Sequence, residues 1–367
     1  MVLTGQLRPK ELLRERLKYR NAALKAWATI KRKKRESGGR GVKPIEVFIS
    51  PRLITSLGHP ELNSAFETNE ESFGNGLVKL FHKTPEDIVC GKFWELRWAF
   101  GCPLDCSYCY LRGTMRGRMQ PSFVKPEYVI AALDQAFQRI KTPSLFNSGE
   151  LSDSLMNPAL MSKIADRFEE QDKHKLVTLS KFGPKAVGFL LEKPRKQVIC
   201  AWSLNPPEVA KRWERAAASP DRRIDAASLV AEAGYDIRIR IDPIFPIEDW
   251  KTHYGDLLYA IFSAFEPTRI ILGTPRGLWK TIKYAKAAGV DMSWSSYFNE
   301  DSGWGKKLDF QQRKEIYTWF YDSLSSLGFD SHRVTMCKET TGMWDSLSLK
   351  YLPLTCQCYG ARAFGAN

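Results

Sequence analysis

The sequence predicts an α/β fold, a partial, open (β/α)6 barrel of the TIM type with a basic helical N-terminal extension and a C-terminal α+β segment. Two observations predict it. From residue 90 onward, short apolar runs of strand character alternate six times with stretches of helical periodicity. Three cysteines, Cys102, Cys106 and Cys109, then stand directly after the first of those runs, on the side where such a barrel keeps its chemistry. On this reading the extension covers residues 1–60, the barrel region 61–276 and the C-terminal region 277–367.

The extension is defined by charge. The chain carries a net +14, and residues 1–43 hold fourteen Lys or Arg against Glu11, Glu15 and Glu36, so +11 lies there. Leu13, Leu17, Leu24, Trp27 and Ile30 recur at helical spacing, which predicts an amphipathic helix over 9–35, broken by Ser37-Gly38-Gly39. A nucleic-acid backbone is the natural partner, because each neutralised phosphate releases counterions. A solvated helix docked on the barrel is the other reading of the same charge.

The barrel elements follow in order. Phe93 to Phe100 reads as the first strand, Pro126 to Ile140 as a helix and Ser144–Asn147 as the second strand. Helices over Pro158–Phe168 and Pro184–Glu192 flank a third strand, Lys175–Leu179. A fourth strand, Gln197–Trp202, leads to a helix over Arg223–Ala233 that ends at Gly234. Asp236–Ile241, a helix over Trp250–Phe265 and Arg269–Gly273 complete the series.

The cysteines are spaced C-x3-C-x2-C, with Tyr108 just before the third. A closed zinc site and an ordinary iron-sulfur cluster each take four ligands, so three thiolates suit a cubane with one iron left open to bind a substrate. A zinc knuckle or buried structural thiols are the other readings. The spacing resembles the signature of the radical S-adenosylmethionine (SAM) superfamily. In that superfamily the open iron of a 4Fe-4S cluster chelates SAM, and one electron releases a 5'-deoxyadenosyl radical.

Five further stretches narrow the resemblance. Asn147-Ser148-Gly149-Glu150-Leu151-Ser152-Asp153, Leu179-Ser180-Lys181-Phe182, Ser203-Leu204-Asn205-Pro206, Arg222-Arg223-Ile224-Asp225 and Asp242-Pro243-Ile244-Phe245 are similar, in order, to motifs of spore photoproduct lyase and its relatives. That family is a DNA-repair branch of the superfamily. A Cys337-Lys338-Glu339 segment matches more loosely. The resemblance implies Cys102, Cys106 and Cys109 as cluster ligands; Glu150, Ser152, Lys181, Ser203 and Arg223 as SAM-binding residues; and Tyr108 and Tyr110 at the radical site. It also implies an electron donor such as flavodoxin or ferredoxin, and DNA as partner. One position departs from the family: where the lyases carry a cysteine that returns hydrogen to the product radical, this chain has Glu150. Repair of the spore photoproduct and modification or isomerisation of a thymine base are therefore both open.

Cys337, Cys356 and Cys358, with Cys90 upstream, form a second candidate group for an iron-sulfur cluster or zinc, buried inert thiols being the alternative. Trp294, Tyr297, Phe298 and Trp304 follow Arg276, Lys280, Lys283 and Lys286, a pairing of rings and cations suited to stacking bases. No apolar run approaches the ~20 residues of a membrane span, and the basic N-terminus is not followed by a signal-peptide core. A cytoplasmic protein with reduced or metal-bound cysteines is expected. A radical SAM enzyme acting on a peptide or small metabolite, and a non-catalytic zinc protein that binds nucleic acid, are the competing functional readings.

Overall fold

The computed structural model describes residues 48–49, 72–81, 87–90, 93–141 and 143–349. The expected basic helix over 9–35, and Cys356 and Cys358, lie outside the described residues. Six parallel strands run in sequence order across one sheet: β1 (Phe93–Leu96), β2 (Leu145–Asn147), β3 (Lys175–Ser180), β4 (Val198–Ser203), β5 (Asp236–Ile241) and β6 (Arg269–Leu272). Every residue of β4 and β6 is buried, as a parallel sheet covered on both faces requires. Pro126, Pro158 and Pro220 each open a crossover helix, a position where the missing N–H goes unused.

The ends of the sheet hold what the sequence did not predict. β7 (Val334–Met336) pairs parallel with β6, so the region after residue 276 returns to the sheet as its seventh parallel strand. At the other end Val78–Phe81 runs antiparallel to β1, followed by Ser72–Phe73. Both additions hydrogen-bond strands that would otherwise be open edges.

The expected first strand over 93–100 is divided. β1 stops at Leu96, Arg97 N donates to Leu77 O at 2.7 Å, and Ala99–Phe100 pairs with Ser122–Val124 in a separate small sheet. Both halves are buried, so one apolar run concealed two strands. The helix expected over 184–192 is a 3-10 turn (Pro184–Ala186) followed by a short α-helix (Gly188–Glu192). A helix not foreseen, Pro207–Trp213, precedes Pro220–Glu232.

Candidate active site

The cysteine loop leaves the top of the sheet through a glycine that no other residue can replace without displacement. Gly101 has φ +81°, and a Cβ there would meet Gln120 O at 2.5 Å. Arg112, buried, then ties the loop together, donating to Cys106 O at 3.1 Å, Asp105 O at 2.9 Å and Asp105 Oδ1 at 2.7 Å. Ser107 N donates to Trp213 O at 2.8 Å and Ala216 N to Leu104 O at 3.1 Å, so the loop is also fastened to residues 213–216. Cys102 and Cys106 are buried and Cys109 half-buried, and burial pushes all three thiols up.

These thiols line a cavity of about 820 Å³ that Glu150, Ser152, Lys181 and Ser203 also line. The strand ends explain the convergence: Glu150 and Ser152 follow β2, Lys181 follows β3, and Ser203 closes β4. Gly149 permits the approach, since a Cβ there would lie 2.7 Å from Leu179 Cβ. Glu150 Oε1 accepts from Asn147 Nδ2 at 2.9 Å. Ser152 Oγ is buried without a hydrogen-bond partner. Asp153 beside it accepts from Lys181 N at 2.8 Å, and burial raises its carboxyl to about 6.

Lys181 donates to Ser203 Oγ at 2.8 Å, to Glu214 Oε1 at 2.7 Å and to Tyr108 OH at 3.2 Å. Glu214, 1% exposed, is the hub that the motifs did not reveal. It also accepts from Tyr108 OH, from Arg223 Nη2 and from Asn205 Nδ2, the last at 3.1 Å. Burial alone would raise its carboxyl, but Lys181 and Arg223 outweigh that and hold it well below the ordinary range. Arg223 does not line the cavity: fully buried, it donates to Ala218 O, Ser203 O and Glu214, one layer behind Lys181. Tyr110, 39% exposed, donates to Glu150 O.

The second cysteine group is only partly described. Cys337 is buried, with Arg240 Nη2 at 3.0 Å from its Sγ, and Cys90 is half-buried. Among the described residues no three of His, Cys, Asp or Glu converge as ligands of a single ion. A cubane differs in that each thiolate ligates a different iron, so Cys102, Cys106 and Cys109 need not converge on one point. Of the aromatic residues, Trp294 is 1% exposed and packs edge-on against Phe298 in the cavity wall, and Trp304, 58% exposed, stands in a hairpin at the same cavity.

Residues 93–270 match the family model for spore photoproduct lyase. The barrel is spore photoproduct lyase-like. Among curated proteins, spore photoproduct lyase of Bacillus subtilis is 28% identical over 178 residues, and that of Clostridium acetobutylicum 23% over 172. These alignments cover 47% and 45% of this chain and 51% and 50% of the relatives, so the chain spans about half their length. A solved spore photoproduct lyase complexed with dinucleoside spore photoproduct superimposes with a TM-score of 0.58 at 19% identity, over 70% of this chain and 78% of the other. That likeness shows the fold: a partial, open β/α barrel.

Proposed function

We propose that this protein is a radical SAM enzyme that abstracts hydrogen from thymine or a modified thymine in DNA, as a repair lyase or as a base-modifying or isomerising enzyme. The observation that carries the reading is that three thiols and four polar side chains from consecutive strand ends line one cavity. When bound, a 4Fe-4S cluster and SAM together supply a 5'-deoxyadenosyl radical, a hydrogen abstractor.

The residues present fit these groups. Cys102, Cys106 and Cys109 hold the cluster, and since their thiols are held protonated by burial, loading iron releases protons. Glu150 takes the SAM ammonium in a charge-assisted hydrogen bond. Ser152 Oγ, unpartnered and buried, has an unused donor and acceptor for the ligand. Lys181 and Ser203 take the carboxylate and ribose; Lys181 is aimed by Glu214, while Arg223 keeps the local charge positive. Tyr108 and Tyr110 flank the site of hydrogen transfer, each fixed through its hydroxyl. A donor such as flavodoxin or ferredoxin supplies the electron, and the basic N-terminal segment holds DNA phosphates in the cytoplasm.

The test is 5'-deoxyadenosine formation by anaerobically reconstituted protein with SAM and dithionite, in the presence of no DNA, plain DNA or ultraviolet-treated DNA. Stimulation by DNA supports the reading, and Cys106→Ala should abolish turnover. Cleavage indifferent to every DNA moves the substrate to a peptide or metabolite. Zinc in the purified protein with no cleavage overturns the enzyme assignment.

A further inference from the structure

The cavity walls are rich in cations, and nearly all of them are spent on neighbours. Arg97 pairs with Glu95 at 2.6 Å, Lys181 with Glu214 at 2.7 Å, and Arg313 with Glu339. Arg240 and Arg276 share Asp242, at 2.6 and 2.9 Å, and burial of that carboxyl is outweighed by the two guanidiniums, which lower it to about 2. At the rim, Lys306 pairs with Asp301 at 3.1 Å and Lys307 with Glu300 at 2.9 Å. Among the described residues that line the cavity, Lys338 is the one cation without an ion pair or hydrogen bond to its ammonium. Its Nζ sits 4.8 Å from the centroid of the Phe81 ring, half-buried.

The backbone places Lys338 there at a cost. Its φ is +54°, a left-handed conformation that a lysine rarely adopts. Both neighbours are pinned: Cys337 N donates to Leu272 O at 2.7 Å, Cys337 O accepts from Arg276 Nη1 at 3.1 Å, and the Glu339 carboxylate accepts from Arg313 and from Tyr317 OH. Glu150 is the carboxylate whose field reaches Lys338, yet the two form no ion pair, and Glu150 is the residue assigned to the SAM ammonium. Arg240 and Arg276 thus share one carboxylate, Asp242, at the end of β5, while Lys338, which follows β7, takes no part in that pairing. An ammonium held half-buried over a ring, with no carboxylate within ion-pair distance, is matched to a ligand that brings its own oxyanion.

We propose that Lys338, backed by Arg276, is a phosphate subsite that seats the DNA phosphodiester adjoining the thymine to be attacked. This rests on the DNA reading of the preceding section and goes beyond it by naming the contact. A lysine suits a phosphate as a compact point charge, and Arg276, already oriented by Asp242, has further N–H donors in its fork. Lys338 follows β7 and Arg276 follows β6, and Lys338 also reaches Phe81 on the strand beside β1, so the subsite opens on the same cavity that the cluster and SAM positions of β1 to β4 line.

The experiment measures binding to the full chain, reconstituted with iron, sulfide and SAM, of two probes: the thymidine dinucleotide joined by a phosphodiester, and the same dinucleotide joined by an uncharged methylphosphonate. Wild type should bind the phosphodiester about tenfold more tightly, and Lys338→Met should bind the two alike, while Lys338→Arg keeps a preference. The slope of log affinity against log salt for the phosphodiester should fall by about 1 in Lys338→Met. Equal binding of both probes by wild type overturns the subsite and leaves the DNA reading standing, and this arm decides even if Lys338→Met does not fold. A preference that persists unchanged in a folded Lys338→Met also overturns it. A wild type that cleaves SAM but binds neither probe overturns the thymidine reading, and the subsite with it.

Discussion

Lys181 Nζ lies 2.7 Å from Glu214 Oε1, and Glu214 is 1% exposed. The ammonium that faces the cavity is thus held by a carboxylate that solvent does not reach. Arg223 bonds the other oxygen of the same carboxylate, so two cations depend on one buried anion.

Glu214→Gln removes that anion and leaves a buried guanidinium and a half-buried ammonium facing an amide. The expected cost is about 3 kcal/mol of stability, read by urea unfolding, since breaking a buried pair from one side strands its partners. Adding Arg223→Met should recover part of the loss, and a double change merely additive to the two single ones would show that the groups are not coupled. The pH dependence has a definite sign. Because the folded carboxyl lies below its ordinary range, its contribution is complete above that range and is lost as pH falls through and below it. Glu214→Gln should therefore lose less stability than wild type on acidification below about pH 4.

Glu150 tests the cofactor assignment. Its Oε1 is fixed by Asn147 Nδ2 at 2.9 Å, so Gln fits the space and changes mainly the charge. A charge-assisted hydrogen bond contributes about 1.5 to 3 kcal/mol, so Glu150→Gln should weaken SAM binding by roughly 10- to 100-fold. Equilibrium binding of SAM to the reconstituted protein measures it, and an unchanged affinity would remove Glu150 from the SAM site.

Two glycines separate strain from collision. Gly101 and Gly234 both have positive φ, +81° and +88°, but a Cβ at Gly234 meets nothing within 4 Å. Gly234→Ala should cost about 1 kcal/mol, the conformational penalty alone, and leave iron loading intact. Gly101→Ala adds contacts with Gln120 O and Met119 O at 2.5 and 2.9 Å, immediately before Cys102. It should destabilise further and lower the iron bound after reconstitution; equal iron content in the two variants would contradict this.

What could be read from the sequence was what is local or periodic. Cys102, Cys106 and Cys109 lie within eight residues, and Lys181 and Ser203 stand at the ends of strands whose apolar runs are plain. Glu214 belongs to neither class. It sits in a turn after Trp213, between Arg212 and Arg215, where a charged residue reads as solvated, and its partners are 33 residues away for Lys181 and 106 for Tyr108. β7 was equally hidden: Val334–Met336 is three residues long, too short for a period, and only its pairing with β6 makes it a strand. Lys338 was visible as part of a loose motif, but its lack of a partner is a property of the assembled cavity.

His174 gives the last prediction, on folding rather than chemistry. It is 0% exposed, stacked on Phe137 at 5.3 Å and edge-on to Phe146 at 5.4 Å, and neither ring nitrogen has a hydrogen-bond partner. Burial lowers its pKa to about 4, from an ordinary 6.5. The unfolded chain therefore binds a proton that the folded chain refuses between those values, so stability is complete above about 6.5 and declines as pH falls toward 4. A shift of this size corresponds to about 3 kcal/mol. His174→Phe keeps the stacking surface and removes both unpartnered nitrogens, so its advantage over wild type in urea unfolding should be larger at pH 5 than at pH 7.5. An advantage independent of pH would mean that protonation of His174 is not what limits the fold in acid.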